Sequence, residues 1–377
     1  NNLGSLLRNE GDLTGAVALF RHAIKARPAL IQAHINLGNA LRASGDVDAA
    51  AASLEQALAL DSDNPEAHWN YAHVLLLRGR FKEGWAAYEW RAKCEEFRPV
   101  FPAFPQPRWD GGDLGGKTVL IFAEQGYGDA IQFVRYVPIV GALGGTVVLQ
   151  CRPPLERLFA AAPGIDRVVT EIDDSLGFEL QAPLLSLPHL FETDLDSIPD
   201  AVPYLRPPAG AGDPLSADDG LKVGIVWAGN PHRKTSREYS VALGRFGPLL
   251  ETDGCAFFSL QVGPARNDIA GEGFGDRLAD LGQGFGDFAD TAAAIQQLDL
   301  VITVDTAVAH LAGALGKPVW TLLACVPEWR WLLARDDSPW YPTMRLFRQP
   351  APGDWESVFA EVAEALRRQA AAAGGPA

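Results

Sequence analysis

The chain has 377 residues, 47% of them apolar and 21% charged, an ordinary globular make-up on a chain too long for one core. A formal net charge of −15 excludes a nucleic-acid backbone as the main partner, since that binding needs clustered Lys and Arg, but leaves room for an anionic small ligand in a locally basic pocket. Cys94, Cys151, Cys255 and Cys325 lie far apart with no CxxC pair, which excludes zinc-ligand spacing and argues against a disulfide framework. The expected compartment is a reducing cytoplasm. No apolar run reaches transmembrane length, and no signal peptide opens the chain. Residue 1 is Asn rather than Met, so a natural N-terminus beyond this sequence is expected.

Residues 1–97 repeat with a period of 34 residues. Asn2, Asn36 and Asn70 share a register, as do Gly4, Gly38 and Ala72. Gly11, Gly45 and Gly79 fall in the turns between paired helices. Ala16, Ala50 and Gly84 are small where helices must approach, and Phe20, Leu54 and Tyr88 supply a bulky knob one turn later. These positions resemble the tetratricopeptide repeat (TPR). The third unit departs from the pattern. Arg91 replaces a small residue, and Trp85, Tyr88 and Trp90 crowd together, as a terminal repeat that docks on another domain requires. The functional expectation is a concave groove for a peptide or partner protein; the plainer one is a spacer or dimerisation arm.

Residues 98–112 read as a linker, because Pro99, Pro102, Pro105 and Pro107 forbid a regular helix there. Residues 113–213 then read as a first α/β lobe. Residues 117–123 are a continuous apolar run, as in a strand buried on both faces, and residues 146–151 and 167–170 are further strands. Between the first two lie the loop Gly126-Tyr127-Gly128-Asp129 and a helix over 130–140. Glycines at a helix start let backbone approach an anion. A dinucleotide site is disfavoured, because Ile131 stands at the third glycine of that fingerprint and the second strand ends in Gln150-Cys151-Arg152 with no acid for a ribose. Asp129 sits at the C-terminal end of a strand. There it serves either as a general base or as a helix cap.

Residues 214–350 read as a second lobe of the same class, with strands over 222–227, 256–260, 300–304 and 319–323. A helix opens at Asp305–Thr306 and runs to Leu315. Residues 351–377 hold a final amphipathic helix and a tail. Trp329, Trp331 and Trp340 are open to two readings, stacking on a sugar or base and plain packing.

Four segments carry a wider resemblance: EQGYGDAIQFVRY (124–136), GIVWAGNPHRKTSREYS (224–240), VDTAVAHLAGALGKPVW (304–320) and PEWRWLLARDDSPWYPTMRLFRQ (327–349). In this order they resemble the heptosyltransferase-related glycosyltransferases, whose GT-B architecture pairs two Rossmann-like lobes, and in particular bacterial proteins that join TPR repeats to such a unit. The resemblance implies an α/β two-lobed GT-B fold behind an all-α TPR segment. It makes Asp129 the base and assigns Gly126, Gly128 and Gln132 to the loop facing acceptor or donor. It gives Asn230, Lys234 and Arg237 to the donor diphosphate, together with Asp305, Thr306, Ala307 and His310. Ala307 stands where the family has glycine, which puts the identity of the donor sugar in doubt. The resemblance also implies that the last helix crosses back to the first lobe. Asp305, an acid beside an anion site, is expected to cap the helix or to bond a ribose or sugar hydroxyl.

The adjacent pairs Asp173-Asp174, Asp218-Asp219 and Asp336-Asp337 chelate poorly, so no metal or other cofactor is expected beyond the nucleotide-diphosphate sugar itself. The function implied is inverting transfer of a sugar to an acceptor hydroxyl. With a TPR segment attached, the acceptor expected is a Ser or Thr of a protein, such as a surface or flagellar protein. The alternatives are a saccharide acceptor, as in lipopolysaccharide or capsule assembly, and a TPR scaffold carrying an inactive GT-B unit. No nucleic-acid partner and no membrane span are expected.

Overall fold

The computed structural model describes residues 1–373 apart from residues 174, 213, 214, 216–219 and 231–238. The chain forms two compact units. One holds Asn1–Ala103 with Pro188–Ile198 and Val326–Arg335; the other holds Phe104–Leu187, Pro199–Cys325 and the chain from Asp336.

The first unit contains three helix–turn–helix pairs: α1 (Asn2–Asn9) with α2 (Leu13–Ala26), α3 (Ile31–Ala43) with α4 (Val47–Leu60), and α5 (Pro65–Leu77) with α6 (Phe81–Tyr88). Gly11, Gly45 and Gly79 make the intervening turns at φ of +89°, +89° and +73°, a region that costs other residues strain. Asp12 and Asp46 then cap α2 and α4, accepting from the amides of Gly15 and Ala49. The small residues have a reason to recur. A Cβ on Gly4 would lie 2.7 Å from Phe20 Cε1, and one on Gly38 2.6 Å from Leu54 Cγ, so the knob of each pair occupies the space above its glycine. In the third pair Arg91 is fully buried. It donates to the Tyr88 carbonyl and the Glu89 carboxylate, and it lies over the Tyr88 ring. The aromatic surface of that repeat is met by Trp329, whose ring packs edge-on against Trp85 at 5.2 Å and near Tyr88 at 6.4 Å. Trp329 is thus a packing residue. The proline-rich stretch begins as a short 3-10 turn, Glu95–Val100.

Among its described residues the second unit holds two parallel sheets. The first has the order β3-β2-β1-β4, with β1 (Thr118–Phe122), β2 (Thr146–Gln150), β3 (Arg167–Val169) and β4 (Leu180–Pro183). The second has the order β10-β9-β8-β5-β6-β7, with β5 (Leu221–Val226), β6 (Cys255–Ser259), β7 (Leu278–Asp280), β8 (Leu300–Val304), β9 (Val319–Leu323) and β10 (Met344–Arg348). Every residue of β8 and β9 is buried, as a parallel strand covered on both faces requires. In both sheets the strand order reverses beside the first strand, between β1 and β4 and between β5 and β8.

The helices used below are α7 (Tyr127–Phe133), α8 (Glu156–Ala160), α9 (Phe288–Gln296), α10 (Ala307–Ala314) and α11 (Trp355–Ala373). The helix expected over 130–140 is shorter. After α7 the chain tightens into a 3-10 turn at Val134–Tyr136 and resumes as a single turn at Val137–Gly141, where Pro138 has no amide to continue the ladder. The last helix stays with the second lobe rather than crossing back to the first. The apolar face of α11 (Val358, Phe359, Val362 and Leu366) packs in the core of the second lobe, with Val223, Ile225, Trp320 and Phe347. Those strands leave a face of their own sheet to be covered, and α11 covers it.

Candidate active site

In a doubly wound sheet, ligands bind beyond the carboxyl ends of the strands where the order reverses. The loops at those places are the ones after β1, β5 and β8. They carry the Gly126–Asp129 segment, the segment opening at Trp227–Asn230, and Asp305–Thr306.

After β1 the chain turns into α7 with Gly126 at the N-cap. Asp129 is the third residue of the helix. Its carboxylate reaches back to accept from the Gly126 amide at 2.8 Å, which pins the loop and is one half of a capping box. Asp129 is half-buried, whereas Gln132, one turn on, is wholly buried. Gly128 faces the second lobe. A Cβ there would fall 2.8 Å from His310 Cδ2, 3.6 Å from His310 Nε2 and 3.5 Å from Ala307 Cα. The absence of a side chain at 128 is therefore what lets α7 pack against α10.

After β8 the cap of α10 is Thr306 rather than Asp305. Its hydroxyl accepts from the Val308 amide at 3.3 Å and lies 3.1 Å from the Thr303 hydroxyl. Asp305 is half-buried between strand end and cap, and Ala307 is the first residue of the helix. The opening amides of α10, with the helix dipole behind them, favour an anion at this end. His310, a turn further in, is buried, and its Nδ1 lies 2.9 Å from the Tyr341 hydroxyl.

After β5 the chain is held at both ends. Val241 donates its amide to the Trp227 carbonyl, and the Ser240 hydroxyl accepts from the Gly229 amide. Buried Gln261 braces the near end: its carboxamide oxygen accepts from the amides of Trp227 and Ala228, and its nitrogen donates to the Ala228 carbonyl. Asn230 is exposed at the start of this loop. Lys234 and Arg237 lie outside the described residues. Brought together, then, are Gly126, Gly128 and Asp129 on one side and Ala307 and His310 on the other. Asn230 follows β5, the strand next to β8.

Arg135 and Tyr341 lie within two of the four segments, and no local pattern marks the contacts of either. Arg135 is buried and donates to the carbonyls of Gln132, Pro199 and Trp340 and to the Tyr204 hydroxyl. Tyr204 in turn donates to the Ile131 carbonyl. The Arg135 guanidinium lies over the rings of Tyr204 and Tyr341 at 4.5 and 4.7 Å. Burial opposes its charge, but the neighbouring Tyr204 and Tyr341 raise its pKa above the usual value. Trp340 is fully buried against Phe133 and Arg135, a packing role, and Trp331 is fully buried as well. The lobes also meet through Arg157 of α8, which pairs with Asp287 and Asp290 at the start of α9, and through the rings of Tyr127 and Phe288 at 5.1 Å. The signal for Arg135 would have been a lone cation inside an apolar segment, since such a group is buried only when paired.

Family models describing TPR repeats match residues 1–27 and 38–79, and the model of glycosyltransferase family 9 (heptosyltransferase) matches residues 286–341, which span α9, β8, α10 and β9. The repeats and the family 9 match define a TPR-bearing glycosyltransferase dependent on a nucleotide sugar. The chain is 32% identical to Protein FlbA of Caulobacter vibrioides, an alignment covering 98% of this chain and 67% of that protein. The chain belongs to the FlbA family. Among solved structures it is similar to the Escherichia coli ADP-heptose lipopolysaccharide heptosyltransferase II (12% identity, 67% of this chain, 99% of that one, TM-score 0.43). It is also similar to an O-GlcNAc transferase variant from Thermobaculum terrenum (14% identity, 98% and 92%, TM-score 0.30) and to a family 9 glycosyltransferase from Veillonella parvula (12% identity, 69% and 92%, TM-score 0.45).

Proposed function

We propose that this protein transfers a sugar from a nucleotide-diphosphate sugar to a hydroxyl of a protein, in the cytoplasm, with inversion at the sugar and without a metal. The observation that carries the reading is the approach of the Asp129 loop to the N-terminal end of α10 through Gly128 and His310. Asp129 takes the proton of the acceptor hydroxyl as its oxygen forms a bond to the anomeric carbon. The bond from that carbon to the diphosphate oxygen breaks, and the nucleoside diphosphate leaves with the electron pair. Charge growing on the leaving oxygen is met by the first amides of α10, by Thr306 and His310, and by Asn230, Lys234 and Arg237 of the loop after β5. Those amides and cations supply the neutralisation that a metal supplies elsewhere, which supports metal independence. Asp305 serves the ribose or a sugar hydroxyl. A single carboxylate base with one displacement implies inversion. The attached repeats support a protein acceptor, because helical solenoids present extended binding surfaces.

The test compares glycoproteins and lipopolysaccharide, by mass spectrometry, in cells carrying the parent protein or Asp129→Asn. Asn at 129 keeps an acceptor for the Gly126 amide but removes the base. Loss of a sugar mass from a protein is expected, with turnover of purified enzyme down about 10²- to 10⁴-fold. A change confined to lipopolysaccharide would refute the protein acceptor, and unchanged profiles would refute Asp129 as the base.

A further inference from the structure

The start of α9 is built as a fixed pair of anions. Asp287 caps the helix with one oxygen: its Oδ1 accepts from the amides of Ala289 and Asp290 at 2.8 and 3.2 Å. Asp290 reaches back in the same way, its Oδ2 accepting from the Gly286 amide at 2.9 Å. Each carboxylate keeps its second oxygen for another partner, and both second oxygens meet one nitrogen. Nη1 of Arg157, on α8 of the first lobe, lies 2.9 Å from Asp287 Oδ2 and 3.2 Å from Asp290 Oδ1. Burial raises the Asp290 carboxyl, but the Gly286 amide and the Arg157 cation outweigh it, and its pKa lies below the usual value. The side chains of Asp287 and Asp290 are 14% and 22% exposed and that of Arg157 53%, so the cation can be screened by salt. Phe288, between the two acids in the chain, meets the Tyr127 ring at 5.1 Å. Tyr127 opens α7, and its neighbour Gly128 packs on His310 of α10. The loop carrying Asp129 thus rests on α9 through Tyr127 and on α10 through Gly128. A movement that parts Arg157 from its two carboxylates also parts Tyr127 from Phe288.

We propose that Arg157, seated between Asp287 and Asp290, is a positioning residue: it ties the first lobe to the start of α9 and thereby holds the Gly126–Asp129 loop in place. Two anions fixed by backbone amides cost little further ordering when the cation arrives, so one nitrogen can serve both. That nitrogen acts as a point charge rather than as a planar fork, and a Lys ammonium can take its place. The consequence for sugar transfer rests on the function proposed above, because it needs Asp129 to be the base; the mechanical coupling does not.

The test follows hydrogen exchange by mass spectrometry in the full chain, with no ligand added. In Arg157→Gln, amides of residues 126–133 and of residues 286–292 are both expected to exchange about two- to fivefold faster, the worth of a partly exposed ion pair. Arg157→Lys should return both segments close to the parent rates. Raising sodium chloride to about 1 M, where the Debye length is about 3 Å, should speed both segments in the parent and change Arg157→Gln less. Acceleration confined to residues 286–292 overturns the proposal, since the ion pair then acts only on its own helix. So does no change in either segment, or acceleration spread through β8 and β9, which marks a general loss of stability. In the cellular assay above, the sugar-bearing fraction of the acceptor should fall in Arg157→Gln and recover in Arg157→Lys. Faster exchange with that fraction unchanged overturns the consequence for transfer alone. An Asp129→Asn variant without effect would overturn the base itself and leave the exchange result standing.

Discussion

Gly128 has no room for a side chain. A Cβ there would meet the His310 ring at 2.8 Å and the α10 backbone at Ala307, so Gly128→Ala must push the two helices apart or rotate the imidazole. The expected result is a stability loss of about 1–3 kcal/mol, typical of overpacking, with a larger proportional loss in turnover than in donor affinity. Thermal unfolding and steady-state kinetics on one preparation check both. A second residue-scale effect belongs to His73, packed between Trp69 and Tyr88 with Nδ1 on the Trp69 carbonyl. Burial, and then the Arg42 cation, push its imidazole down to about 4 from an ordinary 6.5. With its folded value lowered, the stability it contributes is complete above the unfolded value and is lost as pH falls from there through the folded one. A single such group gives a slope of at most about 1.4 kcal/mol per pH unit in that window. Replacing it in His73→Phe should flatten that slope in denaturation curves taken across the acid range.

At the level of elements, the helix starts carry most of the local design. Thr306 caps α10 by accepting from the Val308 amide, so Thr306→Ala should cost about 1 kcal/mol in urea unfolding. Thr306→Ser should recover most of that loss, because the hydroxyl remains. The repeat elements were legible because their constraints are local. A turn at positive φ needs Gly11, Gly45 or Gly79, and a knob at Phe20 or Leu54 needs a glycine beneath it. Among strands, β1, β2, β5, β6, β8 and β9 announce themselves as apolar runs between turn residues. By contrast β4, β7 and β10 do not. The first ends in Pro183, the second has only three residues, and the third carries Arg345 and Arg348 among its apolar side chains. Each is a strand only because a neighbour offers it a ladder to join.

On the scale of the whole molecule, two segments belong to the TPR unit although the chain runs through both lobes between them. Trp329 closes on Trp85 and Tyr88, and Leu195 lies over Gly79. Removing residues 1–103 would leave the buried Trp329 surface in water. The truncated chain is therefore expected to run as aggregates in size-exclusion chromatography, where the full chain gives a discrete species. Arg135 gathers carbonyls from three separate stretches. Its replacement by Met should cost about 3–5 kcal/mol, because several polar partners lose their donor together, and this is read from the thermal midpoint.

The sequence by itself determined the repeat, the parallel sheets and the residues at the strand ends, because periodicity, turn chemistry and strand-to-helix loops are written within a few neighbouring positions. Asp129, Thr306 and His310 were visible for that reason. Tertiary structure alone decided that Thr306 rather than Asp305 caps α10 and that α11 covers the second lobe. It alone paired Gly128 with His310 and seated Tyr341 on Gly313. Arg135 is the extreme case: its bond to the Trp340 carbonyl spans 205 residues, and no local pattern encodes a contact between elements so far apart in the chain.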